Sequence, residues 1–290
     1  MLDSLLPKNI ATLLDCYNAA QICEVRIRDD KPIVVNLSGI NQLLLRNDGQ
    51  KFIAESGLCE KIISKATEYS LYSQNNQVIK GFITAKGGIR IGICGEVVLY
   101  NNEVKTIKNC KSINIRIPRE VIGCADKIKY YLFNGNALNN LLIISPPGQG
   151  KTTILRDLTR IVASVLKNVL VVDERMELSG YDGNGFHFNL GESSDVITNC
   201  DKKYAFTYAI RSMSPDVIVT DELVSNYDFE AVRFASNSGV KVIASIHASC
   251  INEVKNKYDI ADIFDRYVVL SGRNGPGTIE AVYEKDFTFL

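Results

Sequence analysis

Between residues 140 and 271 the chain repeats one pattern: a near-continuous run of Val, Ile and Leu, a polar break, then apolar positions at helical spacing. Five such runs, 140–145, 168–173, 216–221, 240–246 and 266–271, have strand length and little internal alternation. Strands of this kind bury both faces, so they predict a mainly parallel sheet covered by helices. The first 120 residues read differently. Residues 1–20 are amphipathic and helical in spacing, and short strands are predicted over 24–28, 32–37 and 42–46. Residues 56–70 place Leu58, Ile62, Ile63 and Ala66 on one helical face. Over 81–100 a hairpin is predicted, turning at Gly87-Gly88, with Ile89, Ile91 and Ile93 alternating against Arg90, Gly92 and Cys94. One more alternating strand covers 112–117. A helix near 124–133 and a turn at Asn134-Gly135-Asn136 precede the change of pattern. The expected organisation is a smaller α+β domain over 1–122 and an α/β domain over 123–290.

Composition narrows the class of protein. The chain has 290 residues, 46% of them hydrophobic and 23% charged, as a globular protein does. Its net charge is zero, so no global basic field favours nucleic acid. Eight cysteines are dispersed without a Cys-x-x-Cys pair, which removes a zinc-ligand pattern and predicts reduced, mostly buried thiols in a cytosolic protein. The first residues carry an acid and a proline where a secretory signal is basic and then apolar. No apolar run reaches the roughly 20 residues of a membrane span. Any membrane role is therefore expected to run through a partner.

The candidate chemistry begins where the first buried run ends. Ser145-Pro-Pro-Gly-Gln-Gly-Lys-Thr-Thr153 follows an apolar strand and opens a helical segment. Glycines there let main-chain N–H groups curl around a polyphosphate. The Lys151 ammonium reaches the terminal phosphates and the Thr152 hydroxyl can hold Mg²⁺. Ser145, Pro146, Pro147, Gly148, Gln149, Gly150, Lys151, Thr152 and Thr153 are thus the expected nucleotide loop. Ser145 stands where the full pattern has glycine, ahead of the main-chain nest. The run ending in Asp221-Glu222 delivers two carboxylates to a strand tip, the edge where ligands bind in open α/β sheets. Asp221 is placed for Mg²⁺ and Glu222 for the attacking water. A second acidic tip, Asp173-Glu174-Arg175 with Glu177, adds charge facing the metal or the water, with Asp173 the further metal candidate and Glu174 the further catalytic one. His247 ends the next run and is placed to sense the terminal phosphate. His187 lies in a glycine-rich stretch, 182–191, read as a loop without a catalytic histidine.

In their order along the chain, Lys151-Thr152, Asp173–Glu177, Asp221-Glu222 and Ser245-Ile-His247 resemble the secretion branch of the RecA-like P-loop NTPases. A closer resemblance, carried by Ser145–Leu158, Val172–Arg175, Arg211–Glu222 and Ile246–Ala248, is to the stage III sporulation AA family of endospore-forming bacteria. It extends to Glu24–Arg28, Gly81–Thr84, Gly88–Gly92 and Ser112–Arg119 in the first domain. The resemblance implies an ATPase using ATP and Mg²⁺ at the base of a channel between mother cell and forespore. It implies a cytoplasmic protein in the mother cell, peripheral to the membrane through a membrane-protein partner. It also implies a homo-oligomer, a hexameric ring, with ATP bound between one subunit's two domains and its neighbour. The 191–195 region has no arginine before its aspartate, so Arg175, Arg211, Arg116 and Arg90 remain alternatives for a charge supplied in trans. Two other readings stay open: a nucleotide-gated scaffold with little turnover, and a RecA-like nucleic-acid motor.

Overall fold

The computed structural model describes residues 2–18, 21–67, 75–118, 120–135, 137–165, 167–181, 185–260 and 262–290. The end of the helix expected over 56–70, part of the 182–191 loop and Asn136 of the expected turn lie outside the described residues. The chain forms two compact units, residues 1–119 with 180–186, and residues 120–179 with 187–290.

The first unit is α+β. Its elements are α1 (Lys8–Leu14), β1 (Ile22–Arg28), β2 (Val34–Leu37), β3 (Ile40–Leu43), α2 (Leu58–Ala66), α3 (Asn75–Ile79), β4 (Phe82–Ala85), β5 (Ile89–Tyr100) and β6 (Glu103–Arg116). The strands pair antiparallel in the order β3-β2-β1-β6-β5-β4. Period-two alternation decides the layers: Val25, Ile27, Ile91, Ile113 and Ile115 point into one core with Leu58, Ile62 and Ile63 of α2. The opposite face carries Glu24, Arg26, Arg90 and Arg116. Arg116 Nε lies 3.4 Å from Glu24, and the Arg90 guanidinium stacks 4.0 Å from the centre of the Phe82 ring. β6 is far longer than the predicted strand because it pairs with β5 past the end of β1.

The second unit contains α4 (Lys129–Leu132), β7 (Phe133–Asn134), β8 (Ala137–Leu138), β9 (Leu141–Ser145), α5 (Lys151–Ser164), β10 (Val169–Asp173), β11 (Ser194–Thr198), α6 (Lys202–Ser212), β12 (Val217–Glu222), α7 (Asn226–Asn237), β13 (Lys241–His247), α8 (Ile251–Lys257), β14 (Arg266–Ser271) and β15 (Thr278–Glu284). Seven strands form one sheet in the order β11-β10-β12-β13-β9-β14-β15, parallel except for β15, which runs antiparallel to β14. Leu142, Ile144, Val172 and Ile218 pack on one face with Phe206, Phe229 and Val232 of α6 and α7. Leu141, Ile143, Val171 and Val219 pack on the other with Leu155, Leu158 and Val162 of α5. Alternate residues of each strand are therefore buried in opposite layers, and this is why these strands read as continuous apolar runs.

All eight cysteines are free thiols. Only Cys59 and Cys110 are buried, whereas Cys16, Cys94 and Cys250 are exposed, so the expectation of mostly buried thiols fails. Among the described residues no helix is long and apolar enough to cross a membrane.

Candidate functional site

Parallel register brings the expected chemistry to one sheet edge. Ser145 at the end of β9 pairs with His247 at the end of β13. Glu222 at the end of β12 pairs with Ser245, past an irregularity that begins after Val219. Val172 pairs with Thr220, which sets Asp173 beside Asp221. The three loops that leave this edge after β9, β10 and β12 contribute residues from positions almost eighty apart in the chain.

The 146–150 loop crosses from β9 to α5. Gly148 and Gly150 have φ of 76° and 85°, a left-handed backbone that glycine adopts without cost. Gly150 is the N-cap of α5, with no side chain capping it, so the first N–H groups of this helix face the loop. Ser145 is fully buried, and its hydroxyl donates to the carbonyl of Pro146 at 2.8 Å. Thr152 is half-buried in the first turn of α5. Thr153 lines a separate small cleft with Glu120, Arg156, Asp157 and Asn189. Sequence reasoning missed the connection between β14 and β15. It packs on this loop: a Cβ on Gly150 would lie 3.4 Å from the nitrogen of Gly277, and Gly272 lies against the Gln149 side chain.

Lys151 is 7% exposed and turned into the loop. Its Nζ donates to the carbonyls of Ser145 at 3.1 Å and Pro146 at 3.4 Å, and lies 2.6 Å from His247 Nδ1. Burial lowers this ammonium to about 8, and Glu222 and Glu177 act against that shift. His247 Nε2 lies 3.5 Å from Glu222 Oε1, and Arg175 Nη1 donates to Glu222 Oε2 at 2.7 Å. Lys151, His247, Glu222 and Arg175 thus form a continuous polar chain across the strand tips. Arg175, one of the arginines considered for a charge in trans, is engaged within its own unit. Arg211, another, is exposed in the last turn of α6.

Asp221 is 7% exposed, and burial pushes its carboxyl up to about 7 against the opposing pull of Lys202. Lys202 Nζ lies 3.2 Å from Asp221 Oδ1 and donates to Glu174 Oε2 at 2.9 Å. The approach to Asp221 pairs charges without aligning a donor, so Oδ1 is a buried oxygen with no hydrogen-bond partner among the described residues. A buried carboxylate oxygen at the strand tips, with the Lys202 ammonium 3.2 Å away and no aligned donor, fits a hard divalent cation. Among the described residues no group of three or more His, Cys, Asp and Glu side chains could hold a metal by itself. A Mg²⁺ ion here would draw its remaining ligands from hydroxyl, water and phosphate.

Two of the expected site carboxylates have other partners. Asp173 is fully buried, and its Oδ1 accepts the N–H groups of Glu177 and Leu178 at 2.9 and 3.1 Å. Its Oδ2 accepts the N–H and hydroxyl of Ser179 at 2.7 and 2.6 Å. Both oxygens of Asp173, expected near the metal, are committed to closing the turn after β10. Glu174, expected beside the reacting water, accepts a hydrogen bond from Lys202 Nζ at 2.9 Å. Lys202 itself went unnoticed. Its one signal is a lysine directly after the N-cap Asp201, the end of a helix where the macrodipole disfavours a cation. His187 donates its main-chain N–H to the carbonyl of Ser179.

A model of the family described as "Sporulation stage III, protein AA" matches residues 2–289. The chain belongs to this family. It is 36% identical over 283 residues to the stage III sporulation protein AA of Bacillus subtilis (strain 168), covering 93% of this chain and 89% of the relative. An uncharacterised protein ycf45 of Cyanidium caldarium is 30% identical over 152 residues, which span 51% of this chain and 44% of that protein. Among solved structures, the Legionella pneumophila ATPase DotB superposes with a TM-score of 0.60 at 13% identity, over 92% of this chain and 77% of the other. The pilus retraction motor PilT with bound ADP also gives 0.60 at 13% identity, over 91% and 78%. The sporulation family member therefore shares its fold with the ATPase DotB and the pilus retraction motor PilT.

Proposed function

We propose that the second unit binds Mg·ATP at the tips of β9, β12 and β13 and hydrolyses it, as the motor of a sporulation channel. The observation that carries this reading is the convergence, on one parallel-sheet edge, of a left-handed glycine loop, a buried lysine, a carboxylate with an unpartnered oxygen, and a second carboxylate one residue on. When bound, Mg²⁺ would supply positive charge against that developing on the phosphates. Main-chain N–H groups of residues 148–152 cradle the phosphates. Lys151 leaves the carbonyls of Ser145 and Pro146 for the terminal phosphate, where its charge is stabilised rather than desolvated. Thr152 and Asp221 supply oxygens to the metal. Glu222 orients the attacking water and takes its proton after release from Arg175. His247 lies between Lys151 and Glu222, in a position to register loss of the terminal phosphate. An arginine from a neighbouring subunit completes the charge, and subunits work as a hexameric ring that meets the membrane through a membrane-protein partner.

A nucleotide-gated scaffold is the second reading, favoured by one contact: Arg175 engages Glu222 at 2.7 Å. Phosphate release and equilibrium ATP binding on Glu222→Gln separate the two. The motor reading expects binding at the parent affinity with turnover reduced about 100-fold or more. Hydrolysis at the parent rate by Glu222→Gln removes the base assignment. A wild-type protein that binds ATP and releases no phosphate when assembled favours the gate.

A further inference from the structure

Lys202 has no role in the reading above, yet its side chain is only 3% exposed and it sits among the site's carboxylates. Burying an ammonium is costly, and placing it in the first turn of a helix adds the opposition of the macrodipole. The fold tolerates it because two carboxylates from two different strand tips, Glu174 after β10 and Asp221 in β12, close on the same nitrogen at 2.9 and 3.2 Å. The two contacts differ in kind. Lys202 donates a hydrogen bond to Glu174, whose side chain is 44% exposed. Toward Asp221 it offers charge without an aligned donor, and Oδ1 stays unpartnered and buried.

We propose that Lys202 is a positioning residue that stands in for the divalent cation at Asp221 when no nucleotide is bound, and that yields Asp221 to the metal while keeping Glu174. This rests on the reading that Asp221 holds the Mg²⁺ of a bound nucleotide. The geometry suits an exchange. The lysine charge compensates the buried Asp221 carboxylate without placing a hydrogen bond on the oxygen a metal needs. Glu174, at the surface end of the pair, gives the ammonium a place to stay when a second cation enters. The same charge repels a divalent ion arriving alone, so metal enters with the nucleotide, whose phosphates offset that repulsion.

The test is Mn²⁺ titration of the full-length protein, followed by electron paramagnetic resonance, without nucleotide and with ADP. Wild type should bind Mn²⁺ weakly alone and tightly with ADP. Lys202→Met should bind Mn²⁺ without nucleotide about tenfold or more tightly than wild type, since a repelling unit charge within a few ångströms has gone. Lys202→Arg should restore the wild-type pattern. A purely structural lysine gives no such gain. Nucleotide-free affinity in Lys202→Met equal to wild type overturns the proposal. Failure of wild type to bind Mn²⁺ even with ADP overturns the metal reading of Asp221 instead. Should Lys202→Met not fold, mass spectrometry of wild type treated with an amine-reactive reagent decides. Labelling of Lys202 should rise several-fold on going from ADP to Mg·ADP, and unchanged labelling refutes the exchange.

Discussion

Replacing Lys151 with methionine should make the nucleotide-free protein more stable while abolishing nucleotide binding. Lys151 is 7% exposed and its ammonium is lowered from 10.5 to about 8 by burial. Holding that charge in the folded state costs roughly 3 kcal/mol. Methionine of similar length removes this cost but leaves the carbonyls of Ser145 and Pro146 and the ring of His247 without their donor, which returns part of it. The net expectation is a gain of about 1 kcal/mol, or about 2 to 4 °C in Tm. The sign has a pH signature. A depressed folded-state value means that the penalty is complete below pH 8 and fades between about 8 and 10.5, where the folded amine is neutral and the unfolded one still charged. The advantage of Lys151→Met should therefore be largest at pH 7 and shrink by pH 9.5. Urea denaturation at both pH values, in buffer free of phosphate and sulfate, measures it. A variant less stable than wild type by the same amount at both values refutes the reasoning, because Lys151 would then act as an ordinary packing and hydrogen-bonding group.

Gly150→Ala should lose about 1 to 2 kcal/mol, since φ of 85° is left-handed and the new Cβ would lie 3.4 Å from the Gly277 nitrogen. Calorimetry of ATP binding should show a parallel loss of affinity, and unchanged affinity would exclude this loop from the phosphate nest. Asp173→Ala should lower stability by about 3 kcal/mol or more, because three buried or half-buried N–H groups at residues 177–179 lose their acceptor. A variant with parental urea stability but weakened Mg²⁺ dependence would return Asp173 to the metal.

Local runs of sequence determined a good deal. A strand buried on both faces has to be apolar at every position, so β9, β10, β12, β13 and β14 were visible within a residue or two. β11, reading Ser-Asp-Val-Ile-Thr, was not. It is an edge strand with mixed exposure, and pairing with β10 rather than its own composition makes it a strand. β15 is likewise a half-exposed antiparallel edge whose existence depends on β14. The phosphate loop and the Asp221-Glu222 tip were visible because each is contiguous, with its strand supplied by the residues just before it. What each carboxylate does was decided in three dimensions. Asp173 and Asp221 are equivalent in sequence, each ending or nearly ending a buried apolar run. One is consumed by the tight turn that follows it, and the other keeps an oxygen with no aligned donor, 3.2 Å from the Lys202 ammonium. Lys202 comes from a helix 28 residues beyond Glu174, and nothing local predicts that it reaches the strand tips. Chain-local patterns report burial and backbone geometry because those demands fall on neighbouring residues. Charge placement inside a site is settled by groups that meet only after the sheet has formed, where a few ångströms decide which oxygen finds a donor.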